Sequence, residues 1–303
     1  MAAAGGRVEI AVGMYLHRIG AESEPARRRW GPRECSLYAL ALGAGFEELA
    51  FVREGAAQRV YPTFVLSGVM AAEAESWPDP GFATGDFAPH EIVQGEQALV
   101  LHAPIGPRGD ARVRTRVAGI YDKGSGALVV IEVTAGDSAA GTPIFTATTS
   151  LFVKGHGGFG GERGPRGPRL ERPPRPADHR VAQPTLAVQS LLWRHAGNDP
   201  NAIHVDPEVA RRAGFRAPIL SGLNTLGIAC RALVHAVAGG EPERVRSLAA
   251  RFASPGYNGD ALATEIWSGD ELGRDERGDR VALFRVVNQE GAVLLENGRA
   301  TVA

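Results

Sequence analysis

Cysteine is scarce in this chain of 303 residues, which has only Cys35 and Cys230. They stand far apart, in neither a CxxC nor a metal-binding spacing, so no disulfide framework is expected. We expect the protein in a reducing compartment, the cytoplasm. No stretch approaches the roughly 18 apolar residues of a transmembrane helix, so no membrane partner is expected. A basic segment followed by an apolar run is missing near the start, and the final ATVA forms no peroxisomal address.

An excess of either charge is missing as well. The 33 basic and 34 acidic residues leave a net charge of −1, which argues against nucleic acid as the main partner. Hydrophobic residues make up 44% of the chain, enough for a sizeable core. At roughly 100–200 residues per domain, the length predicts two domains or two structural halves.

The halves are separated by a segment rich in Gly, Pro and Arg, which predicts an extended linker over residues 155–180. Residues 1–154 and 181–303 then form two repeats. The LSGV of Leu66–Val69 corresponds to the LSGL of Leu220–Leu223, and a proline precedes each by a few residues.

In each half, a pattern typical of helices is followed by stretches of alternating apolar and polar residues rich in β-branched side chains. KGSG and NQEG stand at the positions expected for hairpin turns. This order predicts an α+β fold with an antiparallel sheet in each half. After Ser221, apolar and small residues predict a helix buried on most sides. A long central helix wrapped by an antiparallel sheet is the hot-dog arrangement, so two repeats predict a double hot dog.

Hydrogen-bonding residues are concentrated in GNDPNAIHVDPEVARRAGF, residues 197–215. Asp206 is a good N-cap, Pro207 suits the first helical position, and Gly214 is suited to end the helix. Asp199, followed by Pro200, favours a turn. Asp199, Asn201 and His204 are therefore expected on a loop between two short helices.

Asp199 and His204 on such a loop can act as acid and base around one water molecule. The alternative is structural: Asp199 caps a turn, and His204 binds a buried backbone group. A buried helix starting near Ser221 and Gly222 presents free N–H groups and the positive end of its dipole, which suit a developing oxyanion.

NDPNAIHVDPEVARRAGFRAPILSGL resembles the signature of the MaoC-like dehydratases and R-specific 2-enoyl-CoA hydratases (hydratase 2). Further blocks of that family are resembled, in order, by seven other segments: ECSLYALALGAGFEEL, FVREG, YPTF, VQGEQ, YDKGSGALVVIEV, SLFVKGHGGFGG and ARFASPGYNGD. The resemblance implies reversible addition of water to a trans-2-enoyl-CoA, giving a (3R)-3-hydroxyacyl-CoA. It also implies a homodimer, and CoA enters as part of the substrate, without a further cofactor or metal.

The resemblance assigns catalysis to Asp199 and His204 and the thioester oxyanion to the Gly222 amide. Asn201 is expected to shape the loop and to orient the water, and Ser221 to cap the helix. Glu54 either reaches the site from the other repeat or forms a surface ion pair. Arginines near the site are candidates for the CoA phosphates: Arg211, Arg212, Arg216 and Arg251.

The chain departs from the family pattern in several places. Asn198 follows Gly197, Ala202 replaces a proline, and Ser221 and Gln94 replace histidines. The two lost histidines bear on chain-length preference and rate more than on reaction type. The first half has no matching Asp/His pair, so one catalytic site per chain is expected, with the N-terminal repeat accommodating the acyl chain. Trp193 and Trp267 are expected to fill the core.

Two other functions remain open. A hot-dog thioesterase would direct water at the thioester carbonyl instead of the double bond. A non-catalytic module would only bind acyl-CoA or an acyl carrier protein.

Overall fold

One ten-stranded antiparallel sheet organises the computed structural model, which describes residues 13–67, 83–165, 167 and 170–303. The strands follow one another across the sheet in the order β1-β3-β4-β5-β2-β7-β10-β9-β8-β6. Their bounds are β1 Ala26–Trp30, β2 Ile92–Leu101, β3 Gly109–Asp122, β4 Gly126–Asp137, β5 Pro143–Lys154, β6 His179–Pro184, β7 Val245–Phe252, β8 Ala261–Trp267, β9 Arg280–Asn288 and β10 Val293–Val302.

The two repeats meet at the centre of this sheet. The first five strands form one half and the last five the other, and β2 pairs with β7 between them. In that pair Leu99 lies opposite Leu248, and both are buried in the main core. Because the β2–β7 ladder is continuous, the two predicted repeats share one sheet and one hydrophobic core.

The helices lie against this core. Their bounds are α1 Pro32–Ala41, α2 Leu49–Val52, α3 Gln189–Ala196, α4 Pro207–Arg212 and α5 Gly222–Ala236. Helix α5 is buried on most sides, including Leu226, Ile228 and Leu233, which confirms the central helix predicted for the second repeat. Helices α1 and α3 pack together across the repeats through Tyr38 and Trp193, whose ring centroids are 5.6 Å apart.

The central helix predicted for the first repeat would start after Ser67, and residues 68–82 lie outside the described part of the chain. A 3-10 turn, Pro62–Leu66, leads up to it. The predicted hairpin turns are confirmed. Strands β3 and β4 are joined at Lys123–Gly126, and β9 and β10 are joined at Asn288–Gly291, which Ala292 connects to β10.

The segment between the repeats is tied to both. The Asp122 carboxylate accepts backbone hydrogen bonds from Gly158 and Gly160, each at 2.8 Å. Further along, the Trp267 indole donates to the Arg175 carbonyl at 3.0 Å. Strand β6 starts at His179, within the last residues of the predicted linker. Among the helices of the described residues, none has the length and apolarity to span a bilayer.

Candidate active site

The loop between α3 and α4 carries the acid/base residues. Asn198 adopts a left-handed conformation (φ 48°), which turns the chain sharply after Gly197. The Asp199 N–H then donates to the Arg194 carbonyl at 3.1 Å, and Ala202–His204 form a 3-10 turn. The predicted loop between two short helices is confirmed.

Helix α4 begins as the sequence predicts. The Asp206 side chain accepts hydrogen bonds from the N–H groups of Glu208 and Val209, at 2.7 and 3.2 Å. These bonds hold the pKa of the Asp206 carboxyl below its ordinary value. Pro207 is the first helical residue, and Gly214, with φ 90°, follows the helix end. Asp206 thus anchors the loop that carries His204.

Both carboxylate oxygens of Asp199 have partners. Oδ1 accepts the Asn201 N–H at 3.1 Å, and Oδ2 accepts the Trp193 indole N–H at 3.0 Å. The side chain is 18% exposed. Asp199 therefore caps its turn, as the structural alternative expected, and also presents Oδ2 to His204.

His204 faces Asp199 through one ring nitrogen and the backbone through the other. Its Nε2 lies 3.8 Å from Asp199 Oδ2, and its side chain is 12% exposed. Nδ1 lies 2.9 Å from the Ile219 carbonyl oxygen. Since a carbonyl can only accept, Nδ1 carries the proton, and Nε2 of the neutral ring is left as a base. At 3.8 Å the two groups can both contact one oxygen atom.

The Ile219 carbonyl connects this pair to α5. It also accepts from the Ser190 hydroxyl at 3.2 Å, and α5 begins three residues later. Ser221 occupies the N-cap position, but its hydroxyl makes no capping hydrogen bond. The expected N-cap position of Ser221 is thus confirmed, but the hydrogen bond expected from its side chain is not made; the Ser221 carbonyl accepts from the Thr225 hydroxyl at 3.3 Å.

Gly222 is the first residue of α5, where a backbone N–H has no acceptor within the helix. A Cβ at this position would lie 2.7 Å from Cε1 of Phe252 in β7. The close ring explains why glycine is needed here. The N–H of Gly222 comes three residues after Ile219, the residue that His204 contacts. Such an N–H at the positive end of a helix dipole suits an oxyanion.

The Asn201 side chain shapes the loop. Its Oδ1 accepts the Ile203 N–H at 3.2 Å and so caps the 3-10 turn that carries His204. This contact agrees with the loop-shaping half of the expectation for Asn201.

The four candidate arginines occupy different surroundings. Arg216 stacks over the Tyr257 ring at 4.1 Å, and Tyr257 bridges to Ile219. Arg211 and Arg212 lie in the exposed last turn of α4. Arg251 lies in β7 and pairs with Glu296 at 3.4 Å. Because side chains alternate along a strand, Arg251 faces the opposite side of the sheet from its neighbour Phe252.

Glu54 lies on an exposed connecting segment after α2. In α2, the Phe51 ring packs edge-on against His235, near the C-terminal end of α5, at 5.7 Å. Gly222 stands at the other end of that helix, about 20 Å away at 1.5 Å per residue. The structure thus does not bring Glu54 together with the Asp199/His204 pair.

A cavity of about 320 Å³ lies elsewhere between the repeats. Its walls include Val60 and Leu101 of the first repeat and Val245 of the second. Val245 is at the opposite end of β7 from Phe252. The cavity is therefore separate from the acid/base pair.

Two supporting groups were not identified from the sequence as part of the site: the Trp193 indole and the Ser190 hydroxyl. Both are on α3, one turn apart, and both are buried. The spacing of 190 and 193 places them on one helix face, but no local pattern shows that this face meets Asp199 and Ile219.

Comparison with known proteins shows which family the chain belongs to. Residues 169–288 match the MaoC like domain, and residues 29–155 match the MFE-2 hydratase 2 N-terminal domain. The chain is 39% identical over 289 residues to 3-hydroxyacyl-thioester dehydratase Y of Mycobacterium tuberculosis, covering 92% of this chain and 95% of that protein. The chain belongs to the MaoC-like dehydratase family.

Two further members extend the match. This MaoC-like chain is 33% identical over 275 residues to a probable enoyl-CoA hydratase 2 of Dictyostelium discoideum, covering 89% and 90% of the two chains. It superposes on a MaoC-like dehydratase from Phytophthora capsici with a TM-score of 0.82 at 27% identity, covering 95% and 98%. The double hot-dog fold predicted from the sequence is confirmed.

Proposed function

We propose that this chain is an (R)-specific 2-enoyl-CoA hydratase that also catalyses the reverse dehydration of (3R)-3-hydroxyacyl-CoA. One observation carries the proposal: Asp199 Oδ2 and His204 Nε2 lie 3.8 Å apart, on a loop fastened to the residues that lead into α5. An acid/base pair beside an oxyanion site is what hydration next to a thioester carbonyl requires.

The pair shares one transferable proton, in addition to the proton that His204 keeps on Nδ1. With neutral His204 as base and protonated Asp199 as acid, Nε2 takes a proton from water while the water oxygen bonds to C3. Asp199 delivers its proton to C2, and the proton on His204 returns to Asp199 through the next water molecule, because 3.8 Å is too long for a direct hydrogen bond. The reverse assignment, with Asp199 as base and His204 as acid, has the same proton count.

Negative charge develops on the thioester oxygen as water adds. The Gly222 N–H and the start of α5 supply the stabilising donor. Removing one such donor typically costs about 3 kcal/mol of transition-state stabilisation. The hydrogen at C2 and the hydroxyl at C3 are added to the same face of the substrate, because both catalytic groups belong to the same loop, and this gives syn stereochemistry.

The direct test follows crotonyl-CoA in the presence of the purified protein. Loss of absorbance at the enoyl band without release of free thiol supports hydration, and a (3R)-specific dehydrogenase identifies the product. Thiol release would instead indicate a thioesterase. Binding of the thioester without turnover would indicate a binding module.

The acyl range is the next part of the proposal. We expect the first repeat to accommodate the acyl chain, leaving one catalytic site in each chain. Initial rates over C4 to C16 and methyl-branched enoyl-CoAs measure this range. A preference restricted to C4 would contradict the proposed role of the first repeat.

We also propose a cytoplasmic homodimer. Both cysteines are free and buried, which is compatible with a reducing compartment. Phe46 is 92% exposed, and Leu40 and Leu49 are also exposed, so a partner copy would bury apolar surface there. Light scattering after size exclusion should give twice the chain mass, and Phe46→Asp should lower it. A monomeric wild type would contradict the dimer, and fractionation of the source cells tests the location.

A further inference from the structure

Trp193 contacts the carboxylate on which the proposed reaction depends. Its indole N–H donates to Asp199 Oδ2 at 3.0 Å, and this is the oxygen that lies 3.8 Å from His204 Nε2. The tryptophan is 1% exposed. Its polar atom is thus used inside the protein, where a buried donor needs a partner.

The indole has little freedom to move. Tyr38 of the first repeat packs against one part of it, with ring centroids 5.6 Å apart at 56°. On another side lies Gly197, where an added Cβ would be only 2.6 Å from Cε2 of the indole. The ring is therefore fixed between the first repeat and the start of the catalytic loop.

A fixed donor restricts the carboxylate in turn. The Asn201 N–H holds Oδ1 at 3.1 Å, so the two carboxylate oxygens of Asp199 are held by two separate parts of the chain. If the indole bond were lost, Asp199 could rotate about its side-chain torsions while Oδ1 kept its turn contact. Oδ2 would then no longer point steadily at His204.

We propose that Trp193 is a positioning residue: its indole N–H orients Asp199 towards His204, and the packing of α3 on the first repeat makes that orientation rigid. The proposal rests on the hydratase function proposed above. Trp193 acts through Asp199 and is not expected to touch the substrate. Its loss should lower kcat, since misplacing a reacting group by about 1 Å can reduce a rate about 100-fold.

Trp193→Phe keeps an aromatic ring and removes only the N–H and the second ring. We expect kcat for crotonyl-CoA to fall about 10- to 100-fold, with KM changed less than about 2-fold. Trp267→Phe is the matched control. Trp267 is also buried, and its indole donates to the Arg175 carbonyl at 3.0 Å, on β8 away from the loop. It should keep the wild-type kcat.

A kcat of Trp193→Phe within about 2-fold of wild type would overturn the proposal. So would a rise in KM at unchanged kcat, or an equal loss of kcat in both tryptophan variants. If the wild type itself hydrates no enoyl-CoA, the proposed function fails, and the contact is then judged by the measurement below.

That measurement does not need Trp193 to be replaced. The chain has four tryptophans, so ¹H–¹⁵N spectra should show four indole N–H signals. In Asp199→Asn, the indole signal assigned to Trp193 should shift towards the position of a weaker hydrogen bond, while that of Trp267 stays in place. An unmoved Trp193 signal would show that the indole does not bind the Asp199 carboxylate.

Discussion

Glu48 of the first repeat forms a two-oxygen ion pair with Arg231 of α5, and this pair joins the repeats far from the catalytic loop. Arg231 Nε lies 3.0 and 2.9 Å from the two oxygens, and the Tyr61 hydroxyl donates at 2.8 Å. His235 contacts the same carboxylate. Burial raises the pKa of Glu48, but the hydrogen bonds from His235, Arg231 and Tyr61 outweigh it and lower the pKa from 4.5 to about 2.

Replacing Glu48 by Gln should destabilise the protein. The change leaves the Arg231 charge without its partner in a place where the Glu48 side chain is only 9% exposed. We expect a loss of about 3 kcal/mol in the free energy of unfolding, as for other broken buried pairs. Urea unfolding at pH 7 measures it. The neighbouring exposed Glu47→Gln is the control, and an equal effect of both changes would contradict the role of the pair.

The advantage of wild type over Glu48→Gln should also depend on pH. A carboxyl whose pKa is lowered on folding adds stability that is fully present above the unfolded pKa. The difference in unfolding free energy should therefore be constant above about pH 5 and shrink as the pH falls from about 4.5 towards 2. A difference that does not change with pH over this range would contradict the lowered pKa of Glu48.

Asp199→Asn and His204→Gln should each reduce turnover. General acid–base catalysis typically contributes about 10²- to 10⁴-fold, so we expect kcat for crotonyl-CoA to fall by at least about 100-fold in each variant. His195→Gln, an exposed histidine on α3, is the control for histidine removal. If either Asp199→Asn or His204→Gln turns over at the wild-type rate, the proposed mechanism is wrong.

The arginines can be separated by their effect on KM. Arg216 stacks over Tyr257, which bridges to Ile219 three residues before Gly222, whereas Arg251 faces the other side of the sheet and pairs with Glu296. We expect Arg216→Ala to raise KM for enoyl-CoA several-fold at unchanged kcat. Arg251→Ala should change KM less. If Arg251→Ala raised KM more than Arg216→Ala, the CoA phosphates would be assigned to the face of the sheet that carries Arg251.

Local signals carried most of what the sequence could predict. Asp206, Pro207 and Gly214 define a helix within nine positions, and each acts on backbone groups close to it in the chain. The loop with Asp199 and His204 was predicted from the same kind of signal. Their approach to 3.8 Å did not follow from the spacing alone, because five residues can span about 17 Å when extended. It depends on the left-handed Asn198 and the 3-10 turn Ala202–His204.

Long-range contacts were beyond such reasoning. Glu48 and Arg231 are 183 positions apart, and no periodicity links them. The β2–β7 pairing joins the two repeats into one sheet. Each of these strands has an ordinary strand pattern, and neither pattern indicates that the other strand is its partner. Ser221 was expected to cap α5 because serine favours that position, but the hydroxyl of this buried residue does not make the bond.

Gly222→Ala tests the oxyanion site by steric means. The new Cβ would lie 2.7 Å from the Phe252 ring, so the ring or the first turn of α5 has to move. We expect a loss of roughly 1–3 kcal/mol in stability and a fall in kcat of about 100-fold as the Gly222 amide is displaced.

Gly227→Ala provides a matched control within α5, because its Cβ would lie 2.5 Å from Leu42, away from the amide end of the helix. It should lose comparable stability and keep its kcat, and unfolding measurements alongside kinetics separate the two effects. In the double variant Gly222→Ala/Phe252→Leu the ring is gone, so both stability and kcat should partly recover. If Gly222→Ala and Gly227→Ala reduce kcat equally, general loosening of α5 explains the loss, and the Gly222 amide has no special part in catalysis.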